Sequence, residues 1–143
     1  MMWQYNNKEL KDSDITPGAI GFIYLITNNV NGKKYIGRKL LTKASKRKPI
    51  IKKDGLISKR KTTGREESNW KNYFGSCKEL TEDVKVLGRN HFDREILCFC
   101  CGVAQLNYME AKYQFKHDVL ESDDWYNSNI MIRAYKKNIL NKV

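Results

Sequence analysis

The sequence predicts one mixed α+β domain, with three strands and about three helices in the order β-β-α-α-β-α and a long basic insertion after the second strand. Three observations predict it. Two short apolar runs flank an Asn-Gly pair at residues 31 and 32. Further on, two stretches carry helical apolar stripes, and an alternating run separates them. The chain has 143 residues, 41% of them apolar, which suits a single core.

Residues 1–19 are polar, end in the turn Thr16-Pro17-Gly18 and read as an N-terminal arm. Phe22-Ile23-Tyr24-Leu25-Ile26 is rich in strand formers, so residues 20–27 form the first strand. Asn31-Gly32 supplies positive φ angles for a tight primed turn, and residues 33–37 return as the second strand. A short helix follows over about residues 39–47. Pro49, Asp54-Gly55 and Thr62-Thr63-Gly64 then break regularity, leaving a basic loop to residue 65. Asn69 to Gly75 reads as one aromatic helical turn. Ser76-Cys77-Lys78-Glu79 has the form of a capping box, opening a helix with Leu80, Val84 and Leu87 on one stripe and Gly88 at its end. His91 to Cys100 is the third strand. Val103 to Leu120 is the longest helix, with Leu106, Met109, Tyr113, Lys116 and Leu120 along one flank. A loop from Asp123 to Asn129 leads into the last segment, of which residues 134–143 form a basic tail.

Charge is the second strong signal. There are 27 basic and 16 acidic residues, a net charge of +11. Between residues 38 and 65 lie Arg38, Lys39, Lys43, Lys46, Arg47, Lys48, Lys52, Lys53, Lys59, Arg60, Lys61 and Arg65, opposed by Asp54 alone. Twelve minus one is +11, so the remainder of the chain is neutral. Such density is an electrostatic footprint for nucleic acid, in which each neutralised phosphate releases counterions. The alternative is a solvated, solubilising loop.

Other classes are disfavoured. Three Trp, eight Tyr and five Phe argue against disorder. No apolar run reaches the roughly 18 residues of a membrane span, and the N-terminus has no signal-peptide core. A cytoplasmic protein with reduced thiols is expected. Cys77, Cys98, Cys100 and Cys101 do not have zinc-site spacing, so they read as core thiols. On a strand, Cys98 and Cys100 would share a face with Ile96.

Phe22-Ile23-Tyr24 and Tyr35-Ile36-Gly37 together resemble the two-part signature of the GIY-YIG nuclease family. Phe22 stands where the family has its first glycine. Glu110 inside the helix after the third strand, and Asn127 in the loop beyond it, follow in the family's order. The resemblance extends over about residues 20–133. Asn69-Trp70-Lys71-Asn72-Tyr73-Phe74-Gly75-Ser76 looks like phage-encoded, free-standing homing-type members, which would place the protein in a host cytoplasm.

The resemblance implies a small three-stranded antiparallel sheet flanked by helices, and a metal-dependent DNA endonuclease. One Mg²⁺ or Mn²⁺ would sit on Glu110, since Mg²⁺ accepts one carboxylate and keeps several waters. Spacing alone favours an exposed helix carboxylate paired with Gln114 or a nearby Lys, and the resemblance reverses that reading. Tyr24 would act as general base with Tyr35 as its hydrogen-bonding partner, roles that can be exchanged. A phenol titrates near 10, so phenolate at pH 7 costs roughly 4 kcal/mol, and Arg38, Lys39 and a metal would lower that cost. The family's catalytic arginine falls by spacing on Ser45. Arg47 is the first choice to clamp phosphate and Arg38 the second. A histidine that some members use has no counterpart: His91 lies elsewhere, and His117 reads as a surface residue or one near Glu110. Asn127 would order the loop near Glu110. Trp70, Tyr73 and Phe74 read as core or platform residues, with base stacking the alternative. The products would carry 5′-phosphate and 3′-hydroxyl ends. A non-catalytic nucleic-acid-binding protein and a structure-specific repair nuclease are the alternatives. Double-strand cutting by one active site would call for a homo-oligomer or sequential nicks.

Overall fold

The computed structural model of the protein describes residues 2–46, 51–56 and 63–140. Among the described residues seven strands run in chain order: β1 (Gln4–Tyr5), β2 (Lys8–Glu9), β3 (Gly21–Asn28), β4 (Lys34–Leu40), β5 (Thr42–Lys46), β6 (Thr63–Glu67) and β7 (Phe92–Cys100). Three α-helices accompany them: α1 (Lys78–Leu87), α2 (Val103–Lys116) and the short α3 (Lys136–Leu140).

The main sheet has the order β2-β1-β7-β3-β4, and β5 pairs with β6 in a separate ribbon. The expected three strands are its antiparallel centre and edge, β7-β3-β4. The sheet is nonetheless five-stranded and mixed, because β1 joins β7 in parallel. Asn6 and Asn7 adopt φ of 50° and 63°, the left-handed pair of a tight primed hairpin, and so fold β2 back on β1. The segment expected as an arm therefore reaches the core. Trp3 is buried, and its indole N–H donates to the Trp70 carbonyl at 2.8 Å.

Both faces of the sheet are covered. One buries Phe22, Tyr24, Ile26, Phe92 and Ile96 with Trp3, Trp70 and Leu80 of α1. The other buries Ile23, Ile36 and Cys100 with Leu106 of α2 and Val119. This accounts for β3, which is apolar at successive positions rather than alternate ones.

Several elements differ from expectation for identifiable reasons. The β3–β4 connection spans residues 29–33, and of the Asn-Gly pair only Gly32 takes a positive φ, 77°. The Asn28 and Asn31 side chains close it instead, accepting from the backbone N–H groups of Val30 and Lys33. No helix covers residues 39–46. β4 runs on to Leu40, and β5 pairs residue for residue with β6. α1 is capped at Cys77 rather than Ser76, with no side-chain hydrogen bond, and stops at Gly88, φ 95°. In β7 the pairing slips between Ile23 and Tyr24, leaving Leu97 as the extra residue. This bulge turns Ile96 to the α1 face while Cys98 and Cys100 stay together on the α2 face. α2 ends at Lys116, and Leu120 is exposed. Among the described residues no helix is long and apolar enough to cross a membrane.

Candidate active site

The tyrosines come together across the β3–β4 ladder. Tyr24 pairs with Gly37, Ile26 pairs with Tyr35, and the two phenol rings lie 6.1 Å apart. Gly37 makes this possible. A Cβ there would stand 2.5 Å from the Tyr24 hydroxyl and 2.9 Å from the Tyr35 ring, so both phenols lie across bare backbone.

Their environments differ. Tyr24 is fully buried among Trp3, Phe22 and Tyr73, and its hydroxyl has no hydrogen-bond partner among the described residues. Burial, and then the neighbouring phenols of Tyr73 and Tyr35, push its pKa well above that of an ordinary phenol. Tyr35 is half-buried. Burial raises its pKa too, partly offset by the Ser76 hydroxyl 3.4 Å away.

Glu110 approaches from α2. Burial lifts its carboxyl above the usual range, opposed by the charge and the nearby backbone N–H of Arg38. Two open cavities meet on this group. One, about 510 Å³, is lined by Tyr35, Ser76, Lys78, Glu110, Gln114 and Asn127 among others. The second, about 360 Å³, shares Tyr35, Ser76 and Glu110 and adds Arg38, Lys39, Lys43 and Tyr73. The second cavity is cationic and the first is rich in amides and hydroxyls. An anionic chain crossing both would pass over Tyr35 and Glu110.

The expected basic residues divide. Arg38 is exposed, beside Glu110. Lys39 is half-buried, its ammonium 4.1 Å from the centre of the Tyr73 ring, and burial and then Lys43 lower its pKa. Lys43 pairs with Glu66 at 3.6 Å, and the Arg65 guanidinium binds Thr42. Lys52 and Lys53 are exposed in a turn. Lys46 ends β5. Arg47, Lys48, Lys59, Arg60 and Lys61 lie outside the described residues.

Asn127 plays a backbone part. Its side-chain amide pairs with Ile36 as a neighbouring strand would, accepting from the Ile36 N–H at 3.1 Å and donating to its carbonyl at 2.8 Å. Gln114, absent from the expected site, donates to the same carbonyl at 3.1 Å. Its position one helical turn after Glu110 was the available signal. Ser76 does not cap α1; its hydroxyl lies 3.4 Å from that of Tyr35. Tyr73 follows the 3₁₀ turn Trp70–Asn72 and lines the cationic cavity, while Trp70 is core and Phe74 packs against it. His117 is exposed, its ring tilted against that of Trp125 at 5.9 Å and lining neither cavity, and His91 is exposed. Cys100 is buried, Cys77 and Cys98 are half-buried, and Cys101 is exposed.

Among the described residues no group of three or more His, Cys, Asp or Glu side chains converges. An all-protein metal cage is therefore not built from them. The donor set at this site is one carboxylate open to two water-accessible cavities, beside a buried hydroxyl without a partner. That fits a hydrated hard cation that keeps most of its waters.

Comparison with known proteins adds one match. The family model described as "Putative endonuclease segE, GIY-YIG domain" matches residues 3–130. No curated protein matches the chain, and no solved structure does. The match begins at the buried Trp3 and runs past Asn127, so it covers the whole sheet, α1, α2 and the site. The chain belongs to the GIY-YIG nuclease family.

Proposed function

We propose that the protein is a metal-dependent DNA endonuclease, hydrolysing phosphodiester bonds to 5′-phosphate and 3′-hydroxyl ends. One observation carries the reading: Tyr35 and Glu110 stand on the wall shared by a cationic and an amide-rich cavity. Arg38, Lys39 and Lys43 hold the backbone phosphates in the cationic cavity. Arg38 follows Gly37 directly and is the arginine to bind the scissile phosphate. Glu110 would hold Mg²⁺ or Mn²⁺, which supplies positive charge for the phosphate and the departing 3′ oxygen.

Tyr35, the more accessible phenol, takes the general-base role, with Ser76 Oγ beside its hydroxyl. As phenolate it accepts the proton of the attacking water and is left as neutral phenol. Tyr24, closed off by aromatic rings, offers its unpartnered hydroxyl as a hydrogen-bonding group behind Tyr35. Asn127 holds the strand that carries Tyr35.

Conversion of supercoiled plasmid at low salt tests this, with Mg²⁺, with EDTA and with Glu110→Ala. Conversion by the wild type with metal alone supports the reading. Intact plasmid in every lane, together with a gel shift, would leave a DNA-binding domain instead.

A further inference from the structure

We propose that the DNA path continues from the cationic cavity into a third cavity, where Lys85 and Arg89 take phosphates of the duplex flanking the cut. The inference rests on the assignment of the cationic cavity to DNA and adds a contact surface that neither site cavity contains.

The third cavity, about 540 Å³, lies between residues 69–75 and the second half of α1. Asn69 and Tyr73 line it and the cationic cavity alike, so the two adjoin. Tyr35, Ser76 and Glu110 join the cationic cavity to the amide-rich one in the same way. The amide-rich and third cavities share no lining residue, so the cationic cavity links them. A chain held over Tyr35 and Glu110 thus has an open way out past Tyr73.

That way out is basic. Lys85 comes from the last turn of α1, and Arg89 follows Gly88, where the helix stops. Both are exposed. Among the described residues no carboxylate lines the cavity, and neither cation is in an ion pair. Other lysines nearby are engaged: Lys33 with Glu79, Lys43 with Glu66 and Lys71 with Glu67. Arg89 is steadied at the wall, its guanidinium 5.4 Å from the centre of the Phe74 ring. Asn72 and Thr81 add an amide and a hydroxyl as further donors. Cations and neutral donors together are the set that grips a phosphodiester backbone without reading its sequence. An acidic peptide would satisfy the same charges, but the phosphodiester chain is the partner already continuous with the neighbouring cavity. Charge counted along the sequence hid these two residues. Lys78, Lys85 and Arg89 are balanced there by Glu79, Glu82 and Asp83, yet none of those carboxylates reaches this cavity.

The double variant Lys85→Gln/Arg89→Gln removes both charges from exposed positions. Fluorescence anisotropy on a duplex in EDTA should show the log–log dependence of affinity on salt becoming less steep by about 1.8, the share of two phosphates. From about 50 to about 200 mM salt, wild-type affinity should therefore fall about 12-fold further than that of the variant. Lys112→Gln/Lys116→Gln is the control. It removes the same charge from exposed positions on α2, which covers the other face of the sheet and lines a separate small cavity. Screening confines its influence, so its slope should change by less than about 0.5. Should the double variant fail to fold, Arg89→Gln alone takes its place, with a change of about 0.9. An unchanged slope overturns the proposal, as does an equal change in the α2 control or a wild type that binds no duplex. If the wild type binds duplex but nicks none with Mg²⁺, the nuclease reading fails, and the slopes still decide whether DNA enters the third cavity.

Discussion

Tyr24 and Tyr35 carry the same group in unequal surroundings, and the difference is measurable. Tyr35→Phe should lower the nicking rate by about 10²–10⁴-fold, the usual worth of a general base, with little change in unfolding midpoint. Tyr24→Phe deletes a buried hydroxyl that has no partner, so urea unfolding should show equal or greater stability and a smaller loss of rate. The base must be deprotonated, and burial raises the Tyr35 pKa, so the rate should climb about tenfold per pH unit between pH 7 and 9. A flat profile in the wild type would remove Tyr35 from that role. Glu110 has the opposite bearing on stability. Its folded pKa is raised, so its stabilising contribution is complete below the unfolded value near 4.3 and is lost as pH rises above it. Glu110→Gln should therefore raise the thermal midpoint at pH 7, by no more than about 3 °C, and leave it unchanged near pH 3. Calorimetry at the two pH values checks this. These residues were legible in the sequence through the family resemblance, and the structure brings them close together. Gln114 and Ser76 were not, because amide and hydroxyl side chains occur everywhere and only a neighbour gives them a purpose.

Elements with local signals matched their sequence signatures best. α1 follows its apolar stripe and stops at the expected glycine, and β3, β4 and β7 differ from expectation by a few residues. The failures have non-local causes. Lys39, Lys43 and Lys46 suit a helix by propensity, but β6, some twenty residues on, offers β5 a full ladder. β1 depends on β7, about ninety residues away. The bulge at Leu97 inverted the expected face of Ile96, since one extra residue exchanges the two sides of a strand. Buried Arg94 on β7 gave no sequence signal. Only 2% exposed, it donates to the carbonyls of Lys71 and Tyr73 and lies against the Trp3 and Phe74 rings, and burial lowers its pKa to about 10. It thereby holds the turn bearing Tyr73 onto the sheet. Arg94→Met should cost about 1–3 kcal/mol in urea unfolding, because it strips those carbonyls of a donor. Gly37→Ala drives a methyl group into both phenols. It should cost about 1–3 kcal/mol and lower nicking by about 10²-fold or more, read from urea unfolding and plasmid conversion.

At the scale of the whole molecule the charge is confined to one region. The +11 between residues 38 and 65 equals the net charge of the chain, and Arg38, Lys39 and Lys43 of that region line the cationic cavity. Binding of Glu110→Ala to duplex DNA should fall steeply with salt, with a log–log slope of about −5 if six phosphates are neutralised. A slope near zero in a fluorescence anisotropy titration would separate the charge from DNA binding. The outer edge of β4 has a consequence for association. An open edge invites another chain to add as a strand, the route by which sheets merge into dimers and fibrils. Here the outward N–H and carbonyl of Lys34 and of Ile36, and the Leu40 carbonyl, are occupied by the protein's own loop, amides and hydroxyl. These contacts with the protein's own loop and side chains thus leave fewer backbone groups on this edge for a second sheet to pair with.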